Sequence, residues 1–180
     1  MWIFIIIIAV IIAYFLITYN SLVKAKTVVE EAFSTMDIYL KKRWDLIPNL
    51  VEIVKGYAKH ESNTLEEIVK LRNNNYDQMN NNEKVEINDK LTKQISNLMA
   101  IVENYPELRA SENFQNLSNQ ILKIEDEIAN SRKYYNGSVR LLNNKILMFP
   151  SNIVAKMLGY KEEKMFEISS KEREDVKVEF

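Results

Sequence analysis

Cysteine is absent from this chain, and glycine, proline and histidine are scarce: three, three and one in 180 residues. Without cysteine there is no disulfide framework, thiolate zinc site, cysteine nucleophile or lipidated cysteine anchor, while the redox compartment stays open. A phosphate-cradling loop needs several glycines close together so that main-chain N–H groups converge, and Gly56, Gly137 and Gly159 are too scattered for that. With only Pro48, Pro106 and Pro150 as further punctuation, a few long helices are favoured over many short strands. Neither sign of charge is in excess, 24 Lys and Arg against 25 Asp and Glu. No basic stripe with interleaved aromatics is present, so the usual footprint of a nucleic-acid binder is missing.

The single histidine narrows the chemistry further. His60 is followed by Glu61, but Thr64 stands where a zinc hydrolase of the H-E-x-x-H type needs its second ligand. A di-iron helical bundle needs two Glu-x-x-His pairs, and Tyr57 occupies the position three residues before His60. No G-x-S-x-G nucleophile turn occurs. The sequence therefore assigns no catalytic residue, no cofactor-binding residue and no metal ligand. His60 reads as a surface or packing residue, and the expectation is a protein that is not an enzyme.

What is present is a long oily run. Every residue from Met1 to Ile17 is apolar or aromatic, and the first charge is Lys24. Seventeen helical residues cover roughly 25 Å, and Thr18 to Val23 extend the segment into the headgroup region. Trp2 near one end and Tyr14 and Tyr19 toward the other suit an interfacial aromatic belt. A cleaved signal needs a basic leader and a small-residue cleavage site, which Ala9 and Ala13 do not make. A buried core helix would carry one polar stripe. Residues 1–23 are thus expected to be an uncleaved single-pass membrane anchor in contact with lipid. Lys24, Lys26, Lys41, Lys42 and Arg43 follow it and no cation precedes it, so the positive-inside rule places the short N-terminus outside and the body in the cytoplasm.

The rest reads as all-α. Leu22, Ala25, Val29, Ala32, Met36 and Tyr39 step by three and four along a first helix from about Asn20 to Arg43. Trp44-Asp45-Leu46-Ile47-Pro48 reads as a turn, with Asp45 an N-cap and Pro48 in the next first turn. A second helix carries Leu50, Val51, Val54, Tyr57, Ala58, Leu65, Ile68 and Leu71, then gives way to a polar loop of asparagines, Asn73 to Asn75 and Asn80 to Asn82. A third covers about Glu83 to Asn104, with Leu91, Ile95, Leu98, Val102 and Tyr105 in a 4-3-4-3 pattern. Pro106 starts a fourth, whose seam runs Phe114, Leu117, Ile121, Ile124, Ile128, Tyr135, Val139, Leu142, Ile146 and Phe149. Residues 24–149 are expected to form an antiparallel up-down four-helix bundle with long helices. Residues 150–180 are expected to add a short helix, capped by Ser151 and ending at Gly159, with Ile153, Val154, Met157 and Leu158 on one face, and an extended tail carrying Val176, Val178 and Phe180, packed on the bundle. If the chain turns at Asp45, the fourth helix is about 20 Å too long to stop at membrane level, so a bend near Asn136-Gly137 or Thr18 to Ser21 is expected.

Three stretches stand out as possible contact sites. Lys41-Lys42-Arg43 reads first as favourable charge at a helix C-terminus and second as a partner contact. Arg43, Asp45 and Asn49 are a candidate buried polar network fixing the hairpin. Met148 to Tyr160 is amphipathic but has only Lys156 and Lys161 as basic residues, so capping the bundle end is preferred over lying on the membrane.

Taken together these residues resemble the LemA family of bacterial membrane-anchored helical proteins. The resemblance is carried by Val29-Glu30-Glu31-Ala32, Asp37 and Leu40, then by Arg43-Trp44-Asp45-Leu46-Ile47-Pro48-Asn49-Leu50-Val51-Glu52, Val54-Lys55-Gly56-Tyr57 and His60-Glu61. It resumes at Tyr135-Asn136, Val139-Arg140, Phe149-Pro150-Ser151-Asn152-Ile153-Val154-Ala155, Gly159-Tyr160, Phe166-Glu167 and Val176-Lys177-Val178-Glu179-Phe180. It spans nearly the whole chain, and D-L-I-P-N-L with F-P-S-N is specific. Departures are mild: Phe33 and Trp44 replace other aromatics, and Leu142 sits where a second Tyr-Asn pair usually begins. The resemblance implies a single span, an external N-terminus and a cytoplasmic helical bundle, with no catalytic residues to carry over.

The function expected from these readings is a membrane-tethered, non-enzymatic scaffold or adaptor. It would bind a protein partner, or a second copy of itself, through its helical surface. The alternative is a membrane-shaping or lipid-binding, self-assembling protein acting through residues 148–160.

Overall fold

A computed structural model describes residues 1–58, 61–72 and 75–166. Among the described residues the chain is all-helical, with six α-helices, one short 3-10 turn and no strand. The helices are α1 (Trp2–Tyr57), α2 (Ser62–Arg72), α3 (Asn81–Val102), α4 (Pro106–Ala110), α5 (Glu112–Leu147) and α6 (Ser151–Met157); the 3-10 turn is Tyr76–Gln78.

The turn expected at Trp44 to Pro48 does not form, because the apolar seam stays in phase through it. Met36, Leu40, Arg43, Ile47, Leu50 and Val54 are all buried and step 4-3-4-3-4, so one helix keeps one face inward throughout. Pro48 sits inside α1, where it removes one main-chain donor and crowds the carbonyl one turn back. The burial of Ile47 and Leu50 on either side outweighs that local cost. The expected second helix is accordingly split between the end of α1 and α2. Without a turn at Asp45 the bend in the fourth helix is no longer required, and α5 runs through Asn136 and Gly137 without interruption.

Two compact units contain these helices. The second unit, residues 34–130, buries Met36, Leu40 and Trp44 of α1 together with Leu91, Leu98 and Val102 of α3 and Phe114 and Ile121 of α5. Its asparagine loop is shorter than expected: Asn75 and Asn80 serve it, but Asn81 and Asn82 already belong to α3. Asn75 accepts from Asp77 N, and Asn80 forms a capping box with Glu83, at 3.0 and 2.8 Å, that starts α3. Asn73 and Asn74 lie outside the described residues. Pro106 opens α4 as expected, but the backbone is extended at Ser111, so the expected fourth helix is divided into α4 and α5.

The first unit, residues 1–33 and 131–180, buries Leu22, Val29, Ala32 and Phe33 of α1 with Tyr135, Val139 and Leu142 of α5 and Val154 and Ala155 of α6. Its oily run is long and apolar enough to cross a membrane and almost none of it is packed inside the protein. α5 stops at Leu147, so Phe149 leaves the expected seam and is exposed. Ser151 is the first residue of α6 rather than its cap, and its hydroxyl donates to the Met148 carbonyl at 2.9 Å. The tail with Val176, Val178 and Phe180 lies outside the described residues.

Replacing Pro48 with alanine restores the missing donor and relieves the crowding in α1. Pro48→Ala is expected to raise stability by about 1–3 kcal/mol, read as a higher unfolding midpoint by circular dichroism in detergent. A lower midpoint would show that the proline conformation is itself needed.

Candidate functional site

The most conspicuous side chain in the second unit is a charge at a core position. Arg43 is fully buried in the α1 seam. Its Nη1 donates to Thr92 Oγ1 at 2.7 Å and Glu125 Oε1 at 2.6 Å; its Nη2 donates to the Asn88 carbonyl and Asn88 Oδ1, both at 2.8 Å. Asn88 is itself buried and donates to the Lys84 carbonyl one turn back on α3. The planar guanidinium fork thus ties α1 to α3 and α5, a geometry that a lysine ammonium does not reproduce.

This corrects the expected network in its membership. Arg43 is its centre, but Asp45 and Asn49 are exposed, and Asp45 instead pairs with Lys41 at 2.7 Å. The basic cluster is dispersed too: Lys42 lies over the Tyr39 ring, and no helix ends here to be neutralised. Asp45 and Asn49 line none of three cavities of about 370, 450 and 510 Å³, and His60 lies outside the described residues. No group of three or more His, Asp or Glu able to hold a metal ion occurs among the described residues.

Beside this cluster the asparagine loop contributes Tyr76, which is buried against Trp44 with ring centroids 5.3 Å apart. Its hydroxyl donates to Asp37 Oδ1 at 2.7 Å, while Lys84 pairs with Asp37 Oδ2 at 2.6 Å and lies over the Tyr76 ring. Burial pushes the Tyr76 phenol well above the usual tyrosine range, and the Asp37 carboxylate adds to that, against opposing contributions from Asn88 and Arg43.

In the first unit two asparagines hold an extended chain by its backbone. Asn136 Nδ2 donates to the Phe166 carbonyl at 3.0 Å while Phe166 N donates to Asn136 Oδ1 at 2.8 Å. Asn143 does the same for residue 163, at 2.8 and 3.0 Å. The spacing explains the register: seven helical residues rise about 10.5 Å, and three extended residues span about 10 Å. Phe166 also packs on Tyr135 and Phe33, at centroid distances of 4.8 and 6.5 Å. Burial, with the Glu163 charge, raises the Tyr135 phenol as well. Leu142, where the family resemblance led one to look for a tyrosine, is buried beside Asn143 and keeps the apolar half of that pair. The amphipathic stretch divides its faces: Val154 and Ala155 pack inward, while Met148, Phe149, Ile153 and Met157 are exposed.

These features define an all-α protein with one exposed, apolar N-terminal helix continuous with a helical body pinned by buried polar groups. The chain belongs to the LemA family, whose model matches residues 32–180. It is similar to Protein LemA of Metamycoplasma hominis, 29% identical over 159 residues, covering 87% of this chain and 72% of that protein. Shorter matches link it to magnetosome protein MamQ 2 of Paramagnetospirillum magneticum, 30% identical over 73 residues, covering 41% of this chain and 27% of that protein. Magnetosome protein MamQ of Magnetospirillum gryphiswaldense is 31% identical over 72 residues, with 40% and 26% covered.

Arg43→Lys is expected to lose at least one charged hydrogen bond inside the core and to destabilise the chain by about 1.5–3 kcal/mol by chemical denaturation. An unchanged midpoint would show the fork geometry to be unimportant. A pH dependence follows from the tyrosines. The folded phenols hold their protons more tightly than unfolded ones, so this contribution is intact at neutral pH and is lost as pH rises above about 10. Tyr76→Phe is expected to shrink the alkaline loss of stability, measured as the difference in denaturation midpoint between about pH 8 and pH 11. An identical loss in the variant would contradict the assignment.

Proposed function

We propose that this chain is a single-pass, membrane-tethered, non-enzymatic scaffold whose cytoplasmic helical body binds protein partners or a second copy of itself. In this reading residues 1–23 are the anchor, 24–149 an antiparallel bundle of helices and 150–180 a segment packed upon it. The observation that carries it is the continuity of α1, which runs from the oily residues into the body with no linker between. A body fixed in this way to a bilayer meets other membrane-bound proteins at a raised effective concentration, so modest surface affinities suffice. Lys24, Lys26, Lys41 and Lys42, following a run with no charge, support the cytoplasmic orientation.

Crosslinking of the full chain in living cells, followed by mass spectrometry, is expected to recover the same partner or the chain itself repeatedly. Recovery of nothing above a non-crosslinked control across several growth conditions would contradict the scaffold reading. A cytoplasm-active reporter fused after Phe180 is expected to be functional and a periplasm-active one silent; the reverse would invert the orientation.

A further inference from the structure

α6 is held beside the end of the oily run at two points. On one side Lys145 Nζ, near the end of α5, donates to Ser21 Oγ of α1. On the other, Tyr160 lies under the Lys26 ammonium of α1, 5.9 Å from ring centroid to nitrogen. Ser21 is four helical residues, about 6 Å, past Ile17, and Lys26 is nine residues, about 13 Å, past it. A headgroup layer is about 5–7 Å deep on each side of the hydrocarbon. If residues 2–17 fill the hydrocarbon, the segment between these two attachments starts within the headgroup layer.

The side chains it presents there are apolar. Phe149 is 79% exposed, Met157 71%, Met148 62% and Ile153 54%, while Val154 and Ala155 on the opposite face complete the packing of the unit. Capping the helical body therefore uses one face of this stretch and leaves the other unsatisfied. Large apolar side chains left exposed together along one short stretch mark a contact site. The two attachments set this stretch beside the end of the oily run within one compact unit, so the occupant that fits it is the lipid that would surround that run. Exposed Lys156, Lys161 and Lys164 in and just after it outnumber Glu162 and Glu163, which suits an anionic headgroup layer. The scarcity of basic residues within α6 is no obstacle: a free interfacial helix must win its own affinity, whereas this one is brought to the surface by the anchor.

We propose that Met148, Phe149, Ile153 and Met157 form a membrane-docking foot that inserts into the headgroup–acyl boundary of the same bilayer that holds residues 1–23. The foot rests on the anchor reading and extends it from one lipid contact to two.

The absence of cysteine makes a direct test available, since any introduced cysteine is the only attachment site for a nitroxide spin label. The full chain, reconstituted in bilayer nanodiscs containing phosphatidylglycerol, would carry the label at one of four positions: Val10→Cys, Phe149→Cys, Met157→Cys or Lys123→Cys. Relaxation by oxygen, which concentrates in lipid, is compared with relaxation by a water-soluble nickel chelate. The expected result is an oxygen-to-nickel ratio severalfold higher at residues 149 and 157 than at residue 123, approaching that at residue 10. Ratios at 149 and 157 equal to that at 123, with residue 10 lipid-like, would overturn the foot and leave the anchor standing. Shielding of 149 and 157 from both reagents would also overturn it, by showing that protein covers the patch. A water-like signal at residue 10 would overturn the anchor reading itself, and the foot with it.

Discussion

The constraint on which the rest of this molecule depends is that one helix presents two kinds of surface. From Trp2 to Ile17, α1 offers apolar side chains all round and leaves nearly all of them exposed; from Leu22 to Val54 the same helix buries one seam and exposes mainly polar residues elsewhere. An apolar helix surface of that extent, left in water, would carry an unfavourable hydration free energy of tens of kcal/mol by area, at about 25 cal/mol per Å². A membrane would remove that cost, and no loop separates the oily part of the helix from the part that packs.

The seam of α1 also explains why the body needs polar groups inside. An uninterrupted seam of Leu, Ile, Val and Met specifies burial but not which neighbour sits at which height, because apolar contacts are not directional. Arg43, at one step of that seam, is directional: its four hydrogen bonds fix α1 against Asn88 and Thr92 of α3 and Glu125 of α5 at one register. A buried ion pair contributes little net stability against an apolar replacement, and its best-attested use is to set register. The backbone clamps at Asn136 and Asn143 act by the same logic in the first unit, holding an extended segment at a spacing matched to the helix they stand on.

How much of this was legible in the sequence depended on whether the signal was periodic or pairwise. The oily run, the seam of α3, the seam of α5 from Phe114 to Leu142 and the start at Pro106 all follow from composition or spacing, and the structure has them; the asparagine loop is there in part, since Asn81 and Asn82 belong to α3. The turn expected at Asp45 and Pro48 does not form because seam phase overrides local capping chemistry: Leu40, Ile47, Leu50 and Val54 keep step through the proline. Arg43 was singled out, but its partners Asn88, Thr92 and Glu125 lie 45 or more residues away and no local pattern announces them. Tyr76 within an otherwise polar loop, and Asn136 and Asn143 seven apart on one face, were the available signals for the remaining contacts. Each gains meaning only once Asp37, or the segment ending at Phe166, is beside it. The amphipathic stretch turns Val154 and Ala155 inward and leaves Met148, Phe149, Ile153 and Met157 exposed, a division that its spacing alone does not assign.

The central claim, that the oily residues reside in lipid while the body folds upon itself, is tested most directly by extraction of the native, untagged chain from its cells. The account predicts that the intact polypeptide sediments with membranes through alkaline carbonate and high salt, and is released only by detergent. Recovery of the intact chain in the aqueous supernatant without detergent would contradict it.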